Sequence, residues 1–223
     1  MMKRAWSVFL AILFAFFLPF NAWAKNGFCH GTREEKRIAI SFDDGPHPTF
    51  TPQILALLEK YDVKATFFMI GCNVALYPSV AKAVSQAGHE IGNHTYTHPH
   101  MRQISPEGLQ EEVKKTEEAL GAIGIEKPRL FRPPEGFRSD EQVRALEDFG
   151  YQTVVWSLDT KDWQGRASNE IVSVVLNAVQ GGDILLFHDY TSRRNTTITA
   201  LEQLIPKLLE DGYEFVTVSE LMC

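Results

Sequence analysis

Two rhythms of apolar residues alternate along the chain. Short runs rich in Val, Ile, Leu and Phe cover positions 38–42, 64–70, 90–93, 129–131, 152–158, 183–187 and 214–218. Runs of this length, apolar without strict alternation, predict strands buried on both faces. Between them, at 52–60, 74–86, 106–122, 140–149, 169–180 and 197–210, apolar positions recur at helical spacing, which predicts amphipathic helices. Ser105 before Pro106 marks one helix start, and Gly181-Gly182 and Gly212 follow two helix ends. Strands alternating with helices predict βαβ units, a parallel sheet and right-handed crossovers that set the helices outside. Seven strands are too few for a complete eight-unit barrel. The expected fold is therefore α/β, a distorted, incomplete (β/α)7 barrel with parallel strands; a doubly wound open sheet is the alternative. No linker or repeat divides residues 25–223, which read as one domain.

Polar residues fall in one place on this pattern. Asp43-Asp44 follows the first strand, His94 and His98 the third, and Arg132 the fourth. Asp159 and Asp162 follow the fifth, and His188-Asp189 the sixth. All lie at C-terminal strand ends, which a parallel α/β architecture gathers on one rim, where active sites form. Any one cluster reads equally well as a solvated loop; five on one rim point to a site.

Composition narrows the class. The 223 residues are 44% hydrophobic and 22% charged, an ordinary globular balance that can bury a core without disulfide or metal staples. A net charge of −6 with no basic patch argues against a nucleic-acid partner. Residues 1–24 stand apart: a Lys3-Arg4 start, an apolar run over 5–20, and Ala22-Trp23-Ala24. This is the pattern of a cleaved secretory signal peptide. A retained anchor is the rival, but the run stops short of the roughly 20 residues that span a bilayer, and Pro19 interrupts it. Residues 25–223 are then expected outside the cytoplasm, secreted or periplasmic, as a monomer with no stable membrane anchor. Cys29, Cys72 and Cys223 allow at most one internal pair, and Cys29 with Cys223, near the two ends, is the expected one.

The rim residues suggest a metal centre. His94 and His98 are four apart, and on a helical turn both rings would face one ion. One carboxylate of the Asp43-Asp44 pair can complete a three-ligand set with an open position, as in a catalytic zinc site. The other can act as base toward a water acidified by the metal. Arg132 beside that base would hold it ionised. Two His and one carboxylate also describe a non-haem iron oxygenase site, but no co-substrate motif accompanies them.

The motifs Ser41-Phe42-Asp43-Asp44-Gly45-Pro46, His94-Thr95-Tyr96-Thr97-His98, Arg132-Pro133-Pro134-Glu135-Gly136, Asp159-Thr160-Lys161-Asp162-Trp163 and Leu185-Leu186-Phe187-His188-Asp189 follow one another in order. In this the sequence resembles the polysaccharide deacetylases of carbohydrate esterase family 4, the NodB-homology domain, over about residues 37–220. The resemblance implies a metal-dependent hydrolase of carbon–nitrogen bonds that removes N-acetyl groups from an amino-sugar polymer and releases acetate. It implies Asp43 as general base, with Arg132 orienting it. Asp44, His94 and His98 would bind one divalent ion, usually Zn²⁺, with Co²⁺ an alternative. The N–H of Glu135 would stabilise the oxyanion, and Trp163 and Leu186 would line the acetyl pocket. His188 would be the general acid, tuned by Asp159. The family often has Tyr at position 135. Here Glu135 keeps the backbone N–H, while its side chain either affects substrate choice or is solvated. O-deacetylation of acetylated xylan, or carbohydrate binding without turnover, are the competing functions.

Among the remaining residues, His47 reads as a loop residue on the rim, His89 as a packing residue, and His100 as no ligand. His30 is expected to be exposed, Phe67-Phe68 to be core and Trp156 to pack inside. Asn195-Thr196-Thr197 fits a glycosylation sequon.

Overall fold

The computed structural model describes residues 27–190 and 196–223. The proposed signal segment and Asn195 of the sequon lie outside these residues. Eight parallel strands form: β1 (Arg37–Asp43), β2 (Thr66–Met69), β3 (Glu90–Asn93), β4 (Leu130–Phe131), β5 (Gln152–Thr153), β6 (Leu158–Asp159), β7 (Ile184–His188) and β8 (Glu214–Phe215). Seven of them run in the order β5-β4-β3-β2-β1-β7-β6, and β8 pairs with the start of β1. The helices are α1 (Phe50–Lys60), α2 (Gly71–Leu76), α3 (Pro78–Gln86), α4 (Pro106–Gly121), α5 (Asp140–Asp148), α6 (Ser168–Ala178), α7 (Thr196–Glu210) and α8 (Val218–Leu221). The result is the expected incomplete barrel, a curled parallel sheet whose end strands β5 and β6 do not pair with each other.

Strand parity sorts the side chains into two layers. Ile38, Ile40 and Phe42 of β1, Phe67 and Met69 of β2, and Leu185 and Phe187 of β7 pack outward against the helices. Ala39, Phe68, Leu130, Val154 and Ile184 point the other way and fill the interior with Val216, Val218 and Leu221. Because side chains alternate along a strand, Asp43 shares the inner face with Ala39, and His188 shares it with Ile184. The inner face therefore carries an apolar layer beneath a charged C-terminal mouth. α8 closes the base, where Val218 N–H and Ser219 N–H donate to Thr66 Oγ1 and Glu90 Oε2.

The structure departs from the sequence reading at five points. The run 152–158 is not one strand: its ends are β5 and β6, on opposite edges of the sheet, and 154–157 cross between them. The segment 74–86 is two helices that meet at Tyr77-Pro78, since the residue before a proline is driven out of the helical region. The final run stops at Phe215, and Thr217 opens α8 with a capping box to Glu220. Cys29, Cys72 and Cys223 are all free thiols, so the expected Cys29–Cys223 pair is not formed. His30 is half-buried rather than exposed, in a bridge to Asp183. No helix among the described residues is long and apolar enough to cross a membrane.

Gly92 on β3 lets the inner layer close. A Cβ there would overlap the Phe68 ring, which is fully buried under the mouth. Gly92→Ala should destabilise the protein by about 1–3 kcal/mol, the usual cost of overpacking a core, read as a lowered midpoint in urea or thermal unfolding. An unchanged midpoint would show that the Phe68 layer has room to shift.

Candidate active site

The mouth is built from strand ends at one level. Asp43 of β1 pairs in register with His188 of β7 and with Phe68 of β2. Arg132, one residue past β4, points inward because Phe131 packs outward against α4 and α5. It is completely buried. Its Nη1 donates to Asp43 Oδ1 at 2.7 Å and to Ser41 Oγ at 2.8 Å, and Nη2 donates to Val155 O at 3.1 Å. The guanidinium lies over the Phe68 ring, 4.0 Å from its centroid. Asp43 thus has one oxygen fixed and the other, Oδ2, facing His94 Nε2 at 3.8 Å.

His94 and His98 do not sit on a helical turn. His94 follows β3 directly, and the loop reaches His98 through positive φ at Thr95 (68°) and His98 (55°). Polar caps replace helix geometry: Thr95 N–H donates to Asn93 Oδ1, and His98 N–H to Thr95 Oγ1. Glu112 of α4 accepts from Tyr96 N–H, Thr97 N–H and Thr97 Oγ1. Asp44 also has a positive φ, 75°. Its Oδ1 lies 3.4 Å from both His94 Nε2 and His98 Nε2.

These three donors fit a divalent cation. Asp44, His94 and His98 are the one such group found among the described residues, with donor atoms within 4.8 Å of one another. Asp44 Oδ1 is buried with no hydrogen-bond partner among the described residues. His94 Nδ1–H donates to Arg132 O at 2.7 Å, which leaves Nε2 as the bare donor and is the backing a ligating imidazole usually has. Burial would raise the Asp44 carboxyl, but His94, His188 and His98 together hold it down to about 2. Burial, and then His94, lowers His98, keeping it neutral as a ligand must be. Burial alone would also lower His94, yet Asp43 and Asp44 raise it.

His188 completes the mouth. Its Nδ1–H donates to Asp162 Oδ1 at 2.8 Å, and its backbone N–H to Asp162 Oδ2 at 2.9 Å. Asp162 also accepts from Trp163 N–H and Thr197 Oγ1. Burial lowers His188, but the Asp162 hydrogen bond and charge, then Asp43 and Asp44, outweigh it and push it up to about 9. The expectation that Asp159 sits against His188 is corrected: Asp159 Oδ1 accepts from Lys161 N–H, and the chain turns through a left-handed Lys161 before Asp162 enters the interior. Leu186 is buried on β7, one inward position below His188. Trp163 is 54% exposed on the rim. Glu135 has φ 58° in a 3-10 turn, and its Oε1 meets His100 Nδ1 at 2.9 Å, so its side chain is engaged rather than free. His47 stacks on Phe50, and its Nδ1 accepts from Thr49 and Phe50 N–H, turned into its own loop.

Ser41, Glu112 and Asp162 were not singled out by the sequence for these contacts. Ser41 was within reach, because it lies two residues before Asp43 on the same strand face. Asp162 was visible as an acid near the fifth strand's end but lost to the nearer Asp159. Glu112 carried no signal; it looks like any acid of an amphipathic helix.

A half-barrel with a buried carboxylate–arginine pair, an imidazole backed by a carboxylate and a three-donor cation site defines a hydrolase-type centre. The polysaccharide deacetylase profile matches residues 30–154. Peptidoglycan-N-acetylglucosamine deacetylase of Bacillus cereus is 45% identical over 84% of this chain and 89% of its own. Chitooligosaccharide deacetylase of a Bradyrhizobium species is 35% identical over 92% and 98%. A solved peptidoglycan N-acetylglucosamine deacetylase, crystallised with 4-naphthalen-1-yl-N-oxidanyl-benzamide, superposes with a TM-score of 0.86 at 34% identity, covering 89% and 93%. The chain belongs to the polysaccharide deacetylase family, and the relatives just named are deacetylases.

Imidazole ligands must be neutral to bind a metal, and the raised His94 makes protons strong competitors there. Zn²⁺ affinity, measured by calorimetry, should fall as the pH drops, and the fall should begin above the usual imidazole value of about 6.5. Asp44→Asn and His98→Ala should each weaken it by more than about tenfold. Affinity unchanged in both would place the ion elsewhere.

Proposed function

We propose that the chain is an exported, metal-dependent deacetylase that hydrolyses N-acetyl groups of an N-acetylglucosamine-type polymer, peptidoglycan or a chitin-like oligosaccharide, and releases acetate. One observation carries the reading. Asp43, fixed by Arg132, and His188, fixed by Asp162, stand in register on adjacent strands beside the Asp44-His94-His98 donor set. Export rests on the 1–24 sequence pattern and on the peptidoglycan substrate in the names of relatives.

Asp44, His94 and His98 would hold the ion. Three nitrogen and oxygen donors with an open position suit Zn²⁺, and Co²⁺ as a substitute. When bound, it supplies Lewis acidity, acidifying a water and polarising the acetyl carbonyl. The compound crystallised with the solved relative is by its name a hydroxamic acid, a metal-chelating group, which supports the same centre here.

The chain's own groups supply the proton transfers. Asp43 Oδ2 takes the proton from water while Oδ1 stays on Arg132. The Glu135 N–H donates to the oxyanion; Pro133 and Pro134 have no N–H to offer. His188 protonates the leaving amine nitrogen from Nε2, since its Nδ1–H is held by Asp162. Leu186 and Trp163 line the space for the acetyl methyl.

Purified protein should release acetate from N-acetylglucosamine oligomers or peptidoglycan, lose activity to a chelator and regain it with Zn²⁺ or Co²⁺. No acetate from these or from acetyl xylan, with metal bound, overturns the reading; release from acetyl xylan alone moves it to O-deacetylation. Asp43→Asn should lower kcat by about a hundred- to ten-thousandfold, the range for a lost general base. His188 acts protonated, so it governs the alkaline limb of the pH–kcat profile. Removing the carboxylate that raises it lowers its pKa, so Asp162→Asn should move that limb to lower pH, whereas Asp159→Asn should leave it in place.

A further inference from the structure

Asp189 is not used by this chemistry, yet it is among the most enclosed acids of the molecule, 2% exposed. It follows His188 at the end of β7 and lies behind the Asp43–His47 turn. Its N–H donates to Asp43 O at 3.2 Å. Its Oδ2 accepts from Thr51 Oγ1 at 2.5 Å, and Thr51 Oγ1 in turn accepts from His47 N–H at 2.8 Å. Its Oδ1 is buried with no hydrogen-bond partner among the described residues. Gly45 rests directly on the carboxyl group: a Cβ at Gly45 would collide with both oxygens. Gly45 does not need a positive φ, so its lack of a side chain is explained by this contact rather than by backbone freedom.

The turn needs such a seat. Asp44 is held at φ 75°, a strained region for a non-glycine residue that persists only where the surroundings impose it. On one side Asn73 Nδ2 donates to Asp44 O and Ile70 N–H to Gly45 O. On the other, Gly45 rests on the Asp189 carboxyl and His47 N–H reaches it through Thr51. We propose that Asp189 is a positioning residue whose buried carboxyl is the seat of the Asp43–His47 turn, setting Asp44 in place to bind the divalent ion. This rests on the deacetylase reading above.

The test measures Zn²⁺ affinity by chelator competition, kcat and KM on N-acetylglucosamine oligomers, and the melting temperature. Asp189→Ala should weaken Zn²⁺ binding by about tenfold or more, as for supporting groups behind metal ligands. It should lower kcat at limiting metal while KM stays near its original value. Asp189→Asn, of the same shape and still an acceptor for Thr51, should recover most of the loss. Gly45→Ala should weaken Zn²⁺ binding in the natural chain but add nothing in the Asp189→Ala background, where the collision is gone. If Asp189→Ala does not fold, Thr51→Val, which removes the hydroxyl link and keeps the shape, should still weaken Zn²⁺ binding. Natural metal affinity in folded Asp189→Ala, or in Thr51→Val where Asp189→Ala fails to fold, overturns the proposal. So does an Asn variant as impaired as Ala. A natural chain that binds no metal overturns the deacetylase reading itself.

Discussion

The mouth of the barrel depends on one buried ion pair, Arg132 with Asp43. Both groups are shut from water, Arg132 at 0% exposure and Asp43 at 3%. Taking two charges out of water costs several kcal/mol per ion, and only close geometry and further hydrogen bonds offset it. Here the guanidinium also reaches Ser41 and the Val155 carbonyl and lies flat on Phe68. One cation thereby ties together β1, the end of β4 and the crossing that links β5 to β6. Removing either partner would leave an unpaired buried charge, a change costing about 3–5 kcal/mol. An apolar substitute could serve stability as well, so the pair is better explained by what it does for Asp43: one oxygen is immobilised and the other left for chemistry.

The layer beneath follows from that pair. A flat guanidinium needs a flat support, which Phe68 supplies. Phe68 in turn needs the space that Gly92 leaves. Below this lies an apolar layer, and Thr66 and Glu90 meet α8 at the bottom. The barrel is incomplete at the crossing 154–157, and it is there that a backbone carbonyl, Val155 O, is free of the ladder to accept from Arg132. The irregular part of the sheet is thus part of the site.

Period and punctuation in the sequence were enough to read the parallel architecture and the rim, because both arise from local signals: apolar runs, helical spacing, and polar residues at run ends. What escaped depends on contacts distant in sequence. Residues 152–158 look like one strand since every residue suits a strand; only the partners, β4 for one end and β7 for the other, divide them. Asp159 and Asp162 are equally good candidates for His188 until the left-handed turn at Lys161 decides which enters the interior. Glu112 and Asp189 hold the two metal-donor loops from outside, and nothing in an acid's neighbours along the chain says that it will accept three hydrogen bonds or carry a glycine on its carboxyl.

The mouth gathers more carboxylates than permanent cations. Asp43, Asp44 and Asp162 converge on a small volume in which Arg132 is the only permanent positive charge among the described groups, and His94 and His188 are both raised by the carboxylates around them. Burial, with Asp44 and Asp43 behind it, lifts the neighbouring Asp189 to about 7 against the Thr51 hydrogen bond. Burial dominates this shift, and the two carboxylates add to it. Protons on imidazoles are one way to relieve the excess of carboxylates, but they consume the nitrogens that face one another. A divalent ion held by Asp44, His94 and His98 would relieve it and leave Asp43 Oδ2 and His188 Nε2 open. The reacting groups are all fixed in the interior, whereas Trp163, Asp159 and the Glu135–His100 pair lie on the solvent side.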